Sequence, residues 1–394
     1  MIVNFIDLLI VVAIVIGLAN GYRRGFWLSL AQYLGLVTGV VLGALAAKPL
    51  LDYLHISNPT ARPLGAVLVL VICGSLGSSI GFAAGEPIRR RILRAGIHTS
   101  TDSMAGAALS AVAVMAMCWF LGLSFSRGPS VEIAQQIQRS VLLRTFDSIG
   151  LRPPAFLASV EGILAGVTFP SAFAGLEPTL PAPLPVPASV DTAGVNRAAQ
   201  LVVKVTSLGC GGLVTGSGFP VGAGYVVTDA HVVSGTSDHS VLTPSGRELR
   251  ATVIYFDPEK DVAVLSVPEL TGAGLTSGPA QRGTTGAVIG YPGGGAEKVE
   301  PAVVDGAIEA QGRDIYNQNL VTRQIFVIQA KVHPGNSGGP LIDLNGRVLG
   351  MVFATSASDP NTAYALTDDE ISSDITDAES NPSPKDTSQY ACAA

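Results

Sequence analysis

Three short blocks of this chain carry side chains able to do chemistry, and they stand in a fixed order. The first is Thr228-Asp229-Ala230-His231-Val232-Val233, the second Lys260-Asp261-Val262-Ala263-Val264-Leu265, and the third Gly335-Asn336-Ser337-Gly338-Gly339-Pro340. A serine hydroxyl is a weak nucleophile at neutral pH. Acyl transfer therefore needs a base within hydrogen-bond reach of it and a carboxylate to orient that base. An imidazole, a carboxylate and a hydroxyl in the order His…Asp…Ser supply such a set. The glycines around Ser337 let the backbone bend so that the N–H groups of Gly335 and Ser337 converge on one point, the oxyanion hole this reaction requires.

Other residues compete for these roles. Asp257 precedes a proline turn and Asp229 stands very near His231 in sequence, which favours Asp261 as the acid. Among the five histidines, His55 and His98 lie in or beside the apolar first third of the chain. His239 sits in a polar Ser/Thr/Asp stretch and reads as solvated. His333, four residues before Ser337, reads as structural. The Cys and His spacing offers no CxxC or HxxxH pair, so no metal and no cofactor are expected.

The His…Asp…Ser order is that of the chymotrypsin arrangement; subtilisin-like enzymes and α/β-hydrolases use other orders. Residues 195–394 resemble the trypsin-like serine proteases, and especially their HtrA-like branch. The blocks that carry the resemblance are Gly216-Ser217-Gly218-Phe219, Gly224 through His231, Asp261 through Leu265, and Gly335 through Pro340. The resemblance implies His231 as general base, Asp261 as its orienting carboxylate, Ser337 as nucleophile, and Gly335 and Ser337 as oxyanion donors. It also implies that Lys331, six residues before the nucleophile, lies at the base of the primary specificity pocket. An inward Lys331 would favour an acidic or polar substrate side chain; an outward, solvated one is equally compatible with the sequence. Phe353-Ala354-Thr355 would form the strand that pairs with substrate backbone, with Phe353 and Thr362-Ala363-Tyr364 narrowing the pocket.

Those residues must be positioned by a framework. From about Val195 the chain shows short apolar runs, among them Leu201–Val205, Tyr225–Val227, Thr252–Tyr255, Val262–Val267, Ala287–Ile289, Gln324–Gln329 and Val348–Phe353. Gly, Pro and Asp turns separate them, as in a sandwich or in barrels. The resemblance narrows this to an all-β, chymotrypsin-like double β-barrel over residues 195–394.

The first third differs in kind. The whole chain of 394 residues is 48% hydrophobic and only 14% charged, with a mean hydropathy of +0.43. Soluble domains carry about 25% charged residues, so one compact soluble domain is excluded. Leu8–Tyr22, extended back through Ile2, and Phe26–Ala47, Leu64–Ala84 and Ser103–Ser126 are apolar runs. Each approaches or exceeds the roughly 20 residues a spanning helix needs. No Lys or Arg precedes Arg23, so the first run reads as a retained anchor and not a signal peptide. Residues 1–126 are thus expected to be an all-α membrane domain of four transmembrane helices. Arg23 and Arg24 in the first loop, and Arg89, Arg90, Arg91 and Arg94 in the third, put those loops in the cytoplasm. Both termini and the protease domain then lie outside. Asp7, the one ionisable group well inside a span, reads as a helix-start residue at headgroup level. The stretch from Ile6-Asp7-Leu8 through Gly21-Tyr22-Arg23-Arg24-Gly25-Phe26 resembles the colicin V production family of four-span membrane proteins, which gives a topology and little mechanism.

Residues 127–194 read as a linker. Val131–Ile149 has the period of an amphipathic helix, with Ile133, Ile137, Val141, Leu142 and Phe146 on one side. A short apolar segment follows over Phe156–Val167, and then Pro178, Pro181, Pro183, Pro185 and Pro187 make an extended, semi-rigid spacer. Such a strand is also what a protease cleft accepts, so self-cleavage here is an expectation. Of the four cysteines, Cys73 and Cys118 lie in spans, and Cys210 and Cys392 lie in the outer domain, where an oxidising compartment favours a Cys210–Cys392 disulfide. With 57 residues after Ser337, neither end leaves room for a folded PDZ module. The combination resembles the membrane-anchored, acid-resistance serine proteases of mycobacteria and their relatives. It implies a membrane-embedded peptidase acting on protein or peptide substrates in the cell envelope under envelope or acid stress. Residues 129–394 are acidic on balance, which disfavours nucleic acid as a partner; the oligomeric state is not specified. Two other classes remain open: a catalytically silent sensor or binding module on a membrane scaffold, and a transporter-like protein whose protease domain only regulates it.

Overall fold

A computed structural model describes residues 4–54, 61–94, 99–125, 131–148, 172–178 and 181–393. The chain divides into two compact units, Met1–Gly166 and Val167–Ala394.

In the first unit, α1 (Phe5–Arg24), α2 (Phe26–Tyr53), α3 (Ala61–Arg94) and α4 (Thr99–Phe125) are the four apolar runs. All four are long and apolar enough to cross a membrane. Small residues let them pack closely. A Cβ added to Gly39 on α2 would lie 2.2 Å from the Cys73 carbonyl of α3. The amphipathic stretch expected as one helix over 131–149 is two, α5 (Val131–Gln138) and α6 (Val141–Asp147). Ser140 breaks it. Its Oγ caps α6 by accepting from Leu143 N at 3.2 Å and donates to the buried Asp7 carboxylate at 2.6 Å. Asp7 also accepts from the backbone N–H groups of Val141 and Leu142. Asp7 thus stands in the first turn of α1, as expected, but its carboxylate holds the returning chain instead of facing headgroups. The expected apolar segment Phe156–Val167 lies outside the described residues.

The second unit is two curled sheets. The first has seven strands in the order β5-β4-β1-β2-β3-β7-β6. These are β1 (Val203–Gly209), β2 (Gly212–Gly222), β3 (Tyr225–Thr228), β4 (Thr236–Leu242), β5 (Glu248–Arg250), β6 (Thr252–Asp257) and β7 (Val262–Ser266). Its edge strands β5 and β6 are separated in sequence by Ala251 alone, so the sheet must curl to bring its ends together. The second sheet closes into a barrel of β8 (Thr285–Gly290), β9 (Lys298–Arg313), β10 (Leu320–Gln329), β11 (Pro340–Asp343), β12 (Val348–Thr355) and β13 (Thr362–Thr367), in the order β10-β13-β12-β11-β8-β9. One apolar core runs through both, joining Phe219 and Val227 of the first sheet to Ile289, Ile342 and Phe353 of the second. Among the described residues, three α-helices decorate them: α7 (Ala193–Ala199), α8 (Ala230–Val233) and α9 (Asp368–Ser380). The stretch Asp374–Lys385 reads from composition as loose and polar. Its first part is instead the end of α9, where Asp374 is buried and pairs with Lys260 at 2.9 Å.

The proline-rich stretch is extended, but it lies along the second barrel and is not a free spacer. Ala172, Phe173, Ala174, Leu176 and Val190 are buried. Ala174 N donates to Gln311 O at 2.9 Å, and Leu184 N to the Asp305 carboxylate at 2.9 Å. Phe173 meets Tyr364 edge-to-face at 5.2 Å, a pair worth about 1 kcal/mol beyond its burial. Without N–H groups at the prolines the segment cannot join the barrel ladder. It binds instead through its remaining N–H groups and these apolar side chains.

Candidate active site

His231, the expected general base, stands on α8, one turn of helix after β3. A strand ending in Thr228-Asp229 and a single helical turn place His231 at the rim of the first sheet, its side chain 14% exposed. Asp261 faces it from the start of β7. One Asp261 oxygen accepts from His231 Nδ1 at 2.8 Å, the other from the His231 backbone N–H at 2.9 Å. This two-point hold fixes ring position and tautomer together: Nδ1 carries the proton and Nε2 is left as the base. Among the described residues, His231 Nε2 makes no hydrogen bond. Asp261 pays for its position in backbone geometry, with φ at +69°, a left-handed conformation that Asp tolerates better than most residues. The turn before it is tight, since Asp257 Oδ1 accepts from the N–H groups of Glu259 and Lys260. Asp257 is accordingly a turn residue and plays no part at the base.

Ser337 lies on the loop entering β11, from the second barrel, and is 4% exposed. Two contacts seat that loop against the first sheet and a third ties it to the second barrel. Ser217 N donates to Ser337 O at 2.8 Å, Ser217 Oγ donates to Gly335 O at 2.7 Å, and Gly338 N donates to Val352 O at 2.9 Å on β12. Gly338 has φ +80°, and a Cβ there would lie 2.3 Å from Ser217 O and 2.4 Å from Thr228 Oγ1. No other residue type fits both the conformation and the space. Gly335 has φ +99°. Among the described residues, the N–H groups of Gly335 and Ser337 donate to no protein acceptor, as an oxyanion hole requires. The Ser337 hydroxyl makes no hydrogen bond to His231 there; such bonds are commonly long before substrate binds.

The residues expected to line the specificity pocket fare differently. Lys331 is exposed. Phe353 and Ala354 are buried at 1% and 0% exposure. The Phe353 ring fills the core beneath the Arg323 guanidinium, 5.7 Å away, and does not narrow a pocket. Tyr364 is likewise buried, against Phe173. What Phe353-Ala354-Thr355 does offer is backbone. β12 pairs with β13 along one edge, while its pairing with β11 stops at Met351.

One acidic residue beside His231, Asp229, was set aside on sequence grounds. Asp229 is fully buried, with one oxygen 3.8 Å from His231 Nδ1, and neither carboxylate oxygen has a close hydrogen-bond partner. Burial, reinforced by the charge of Asp261, pushes its carboxyl well above the ordinary range. Asp229, His231 and Asp261 offer ligand atoms within 4.8 Å of one another. Both Asp261 oxygens are already committed to His231, so the grouping reads as hydrogen-bonded acid–base machinery. His239, expected in solvent, is half-buried on β4 between Ser207 Oγ and Thr387 Oγ1, and burial lowers its pKa. Cys210 and Cys392 form a disulfide, Cα atoms 5.7 Å apart. The missed site residue is Ser217: its block was visible in the sequence, but its bridging of the two sheets was not.

Residues 216–351 match the trypsin-like peptidase domain family, and residues 6–151 match the colicin V production protein family. The chain is 32% identical over 384 residues to serine protease Rv3671c of Mycobacterium tuberculosis H37Rv, covering 94% of this chain and 95% of that protein. A probable periplasmic serine endoprotease of the DegP-like kind from Bartonella henselae is 36% identical over 159 residues, 38% of this chain and 30% of its own length. The crystal structure of the Rv3671c protease in its active form superposes with a TM-score of 0.52 at 38% identity, covering 55% of this chain and 96% of that one.

Proposed function

The chain belongs to the family of the mycobacterial serine protease Rv3671c, and on that premise we propose a membrane-anchored endopeptidase that works through Ser337, His231 and Asp261. The enzyme is a serine endopeptidase with four apolar helices in its N-terminal unit. The two-point hold of Asp261 on His231 is the observation that carries the mechanism. His231 Nε2 takes the proton of Ser337 Oγ as the hydroxyl attacks the scissile carbonyl, and Asp261 stabilises the imidazolium that results. The carbonyl oxygen becomes an oxyanion bound by the N–H groups of Gly335 and Ser337. His231 then gives its proton to the leaving amine, and water cleaves the acyl-enzyme by the same steps in reverse. Substrate backbone pairs with the open edge of Phe353-Ala354-Thr355, in the manner of an added strand.

The protease unit acts on the extracytoplasmic side, on protein or peptide substrates of the envelope, in resistance to envelope or acid stress. It cleaves its own linker between Arg127 and Val195. In the full-length protein, Ser337→Ala should lower peptidase activity by roughly 10⁴-fold or more, abolish fluorophosphonate labelling and leave the chain unshortened. Mass spectrometry of wild-type and Ser337→Ala envelopes identifies the substrates as nucleophile-dependent fragments, and a reporter fused after Phe125 reads the side. Ser337→Ala with near-wild-type activity would sink the mechanism; a cytoplasmic reporter signal would move the enzyme to the other side.

A further inference from the structure

The segment that precedes the barrels passes over the second one through Glu177. There it meets the loop Ser356-Ala357-Ser358-Asp359, between β12 and β13. One Glu177 oxygen accepts from Ala357 N at 2.8 Å. The other accepts from Ser356 Oγ at 2.7 Å and Ser358 Oγ at 2.8 Å. Within the loop, the N–H groups of Ser358 and Asp359 both turn inward onto Ser356 Oγ at 3.1 Å, and the Ser356 and Ser358 hydroxyls lie 3.3 Å apart. Burial and the nearby Glu177 carboxylate raise the Tyr364 phenol above its ordinary range, as expected of an anion set close beneath the loop.

The loop matters because of what runs into it. Val352 exchanges both backbone hydrogen bonds with the nucleophile loop, accepting from Gly338 N and donating to Gly339 O, each at 2.9 Å. Phe353, Ala354 and Thr355 follow, and Ser356 opens the loop about 13 Å from that point at ~3.3 Å per residue. The strand offered to substrate is therefore fixed at one end by the Ser337 loop and at the other by Ser356–Asp359. A loop at a barrel end has no neighbouring strand to satisfy its outward donors, so they need another acceptor. The chain supplies that acceptor from outside the barrels.

We propose that Glu177 is a positioning residue for substrate, holding the Ser356–Asp359 loop and with it the free end of the Phe353-Ala354-Thr355 strand. The proposal rests on the peptidase reading above and concerns substrate binding only, since Glu177 touches none of the three catalytic side chains. Losing it should weaken binding of extended peptides while leaving the chemistry of Ser337 in place. Charge-assisted hydrogen bonds are the stronger kind, and three end on this carboxylate.

The test uses the full-length protein in detergent. Glu177→Ala should raise KM for an extended peptide by about ten-fold or more, with kcat and the rate of labelling by a small fluorophosphonate within about three-fold of wild type. Glu177→Gln should restore KM in part, to within about five-fold, because its amide oxygen can accept from Ala357 N and its NH₂ can donate to Ser358 Oγ, whereas Ser356 Oγ already accepts from two N–H groups. Should Glu177→Ala fold poorly, the double variant Ser356→Ala/Ser358→Ala removes two of the donors from the loop side, and the same rise in KM is expected. The proposal is overturned if KM stays within two-fold in Glu177→Ala, or in the double variant where Glu177→Ala cannot be obtained folded. It is equally overturned if kcat and fluorophosphonate labelling fall together with it, which would mean the residue acts on the triad. An inactive wild type would count against the peptidase reading instead.

Discussion

Replacing Asp229 by asparagine removes a carboxyl group that the fold holds without a close partner. The side chain is fully buried and neither oxygen has a close hydrogen-bond partner; the groups that face it are Asp261 and His231, with the Gly338 N–H and, more weakly, the Arg323 charge partly offsetting the burden. Burial first, and the Asp261 charge second, raise its pKa well above the ordinary 3.8. An acid whose folded-state pKa is raised binds its proton more tightly when folded. Stability is then highest at low pH and falls as pH rises from about 4 until the folded-state pKa is passed. Across that window each pH unit costs up to about 1.4 kcal/mol, or about 3–5 °C of melting temperature for a unit of this size.

Asparagine does not titrate, so Asp229→Asn should lose this slope. The buried amide has an unsatisfied cost of its own, about 1–3 kcal/mol, but that cost does not depend on pH. The informative quantity is therefore the melting-temperature difference, variant minus wild type, measured at several values between pH 4 and pH 7.5. It is expected to grow in favour of the variant by about 3–5 °C for each pH unit from 4 until the carboxyl ionises. Both tryptophans, Trp27 and Trp119, lie in the membrane unit, so their fluorescence follows the wrong transition. Calorimetry on the full-length protein resolves the protease unit. A difference that stays flat over the whole range would mean that Asp229 titrates like a solvated acid, and the reasoning from burial would be wrong.

Two further outcomes follow from the same geometry. Gly338→Ala forces a Cβ to within 2.3 Å of Ser217 O at a φ of +80°; displacing the nucleophile loop by even about 1 Å should cost roughly a hundred-fold in kcat/KM, and wild-type kinetics in this variant would contradict the packing described. Cys210→Ser opens a crosslink spanning 182 residues, for which the chain-entropy estimate is roughly 5 kcal/mol as an upper bound. The tail is also held by Ser234 Oγ on Ala391 O, Gly235 N on Thr387 O, and Phe256 stacked on Tyr390, so a smaller drop in melting temperature is expected, and an unchanged one would show the bond to be dispensable.

Some of this was legible in the sequence because it is written locally. The four spans are unbroken apolar runs, and each catalytic block is a few residues long with its own strand or turn attached. The strands found from composition are apolar runs, some buried almost throughout, such as Val262–Val267, and some alternating, such as Leu201–Val205. β2, β4, β5, β9, β11 and β13 went unread: β2 is interrupted by glycine and proline, in β9 charged residues alternate with apolar ones, and β5 and β11 are only three and four residues long. Two helix readings failed for a tertiary reason. The break at Ser140 exists because Asp7, more than 130 residues away, takes up the N–H groups of Val141 and Leu142. Asp374 is helical in part because its carboxylate meets Lys260 and Tyr255. Asp229 was set aside for its closeness to His231 in sequence, and proximity in sequence says nothing about whether a carboxyl will find a partner.

The two chain ends of the protease unit do similar work, and neither is visible as a motif. The C-terminal tail runs over the first sheet and binds Ser234 and Gly235, directly after the turn that carries His231. The segment before the barrels runs over the second and binds Ser356–Ser358, directly after the strand that leaves the Ser337 loop. In each case the bound residues leave the ladder just beyond a catalytic element, where outward donors and acceptors would otherwise go unpaired. The barrels supply the rigid positions from which the triad is built. The strands' exits, which decide whether those positions persist under load from a substrate, are held by chain that contributes nothing to the chemistry. Substitutions in these straps should therefore move substrate affinity and stability, and those in the three blocks should move the rate of acylation.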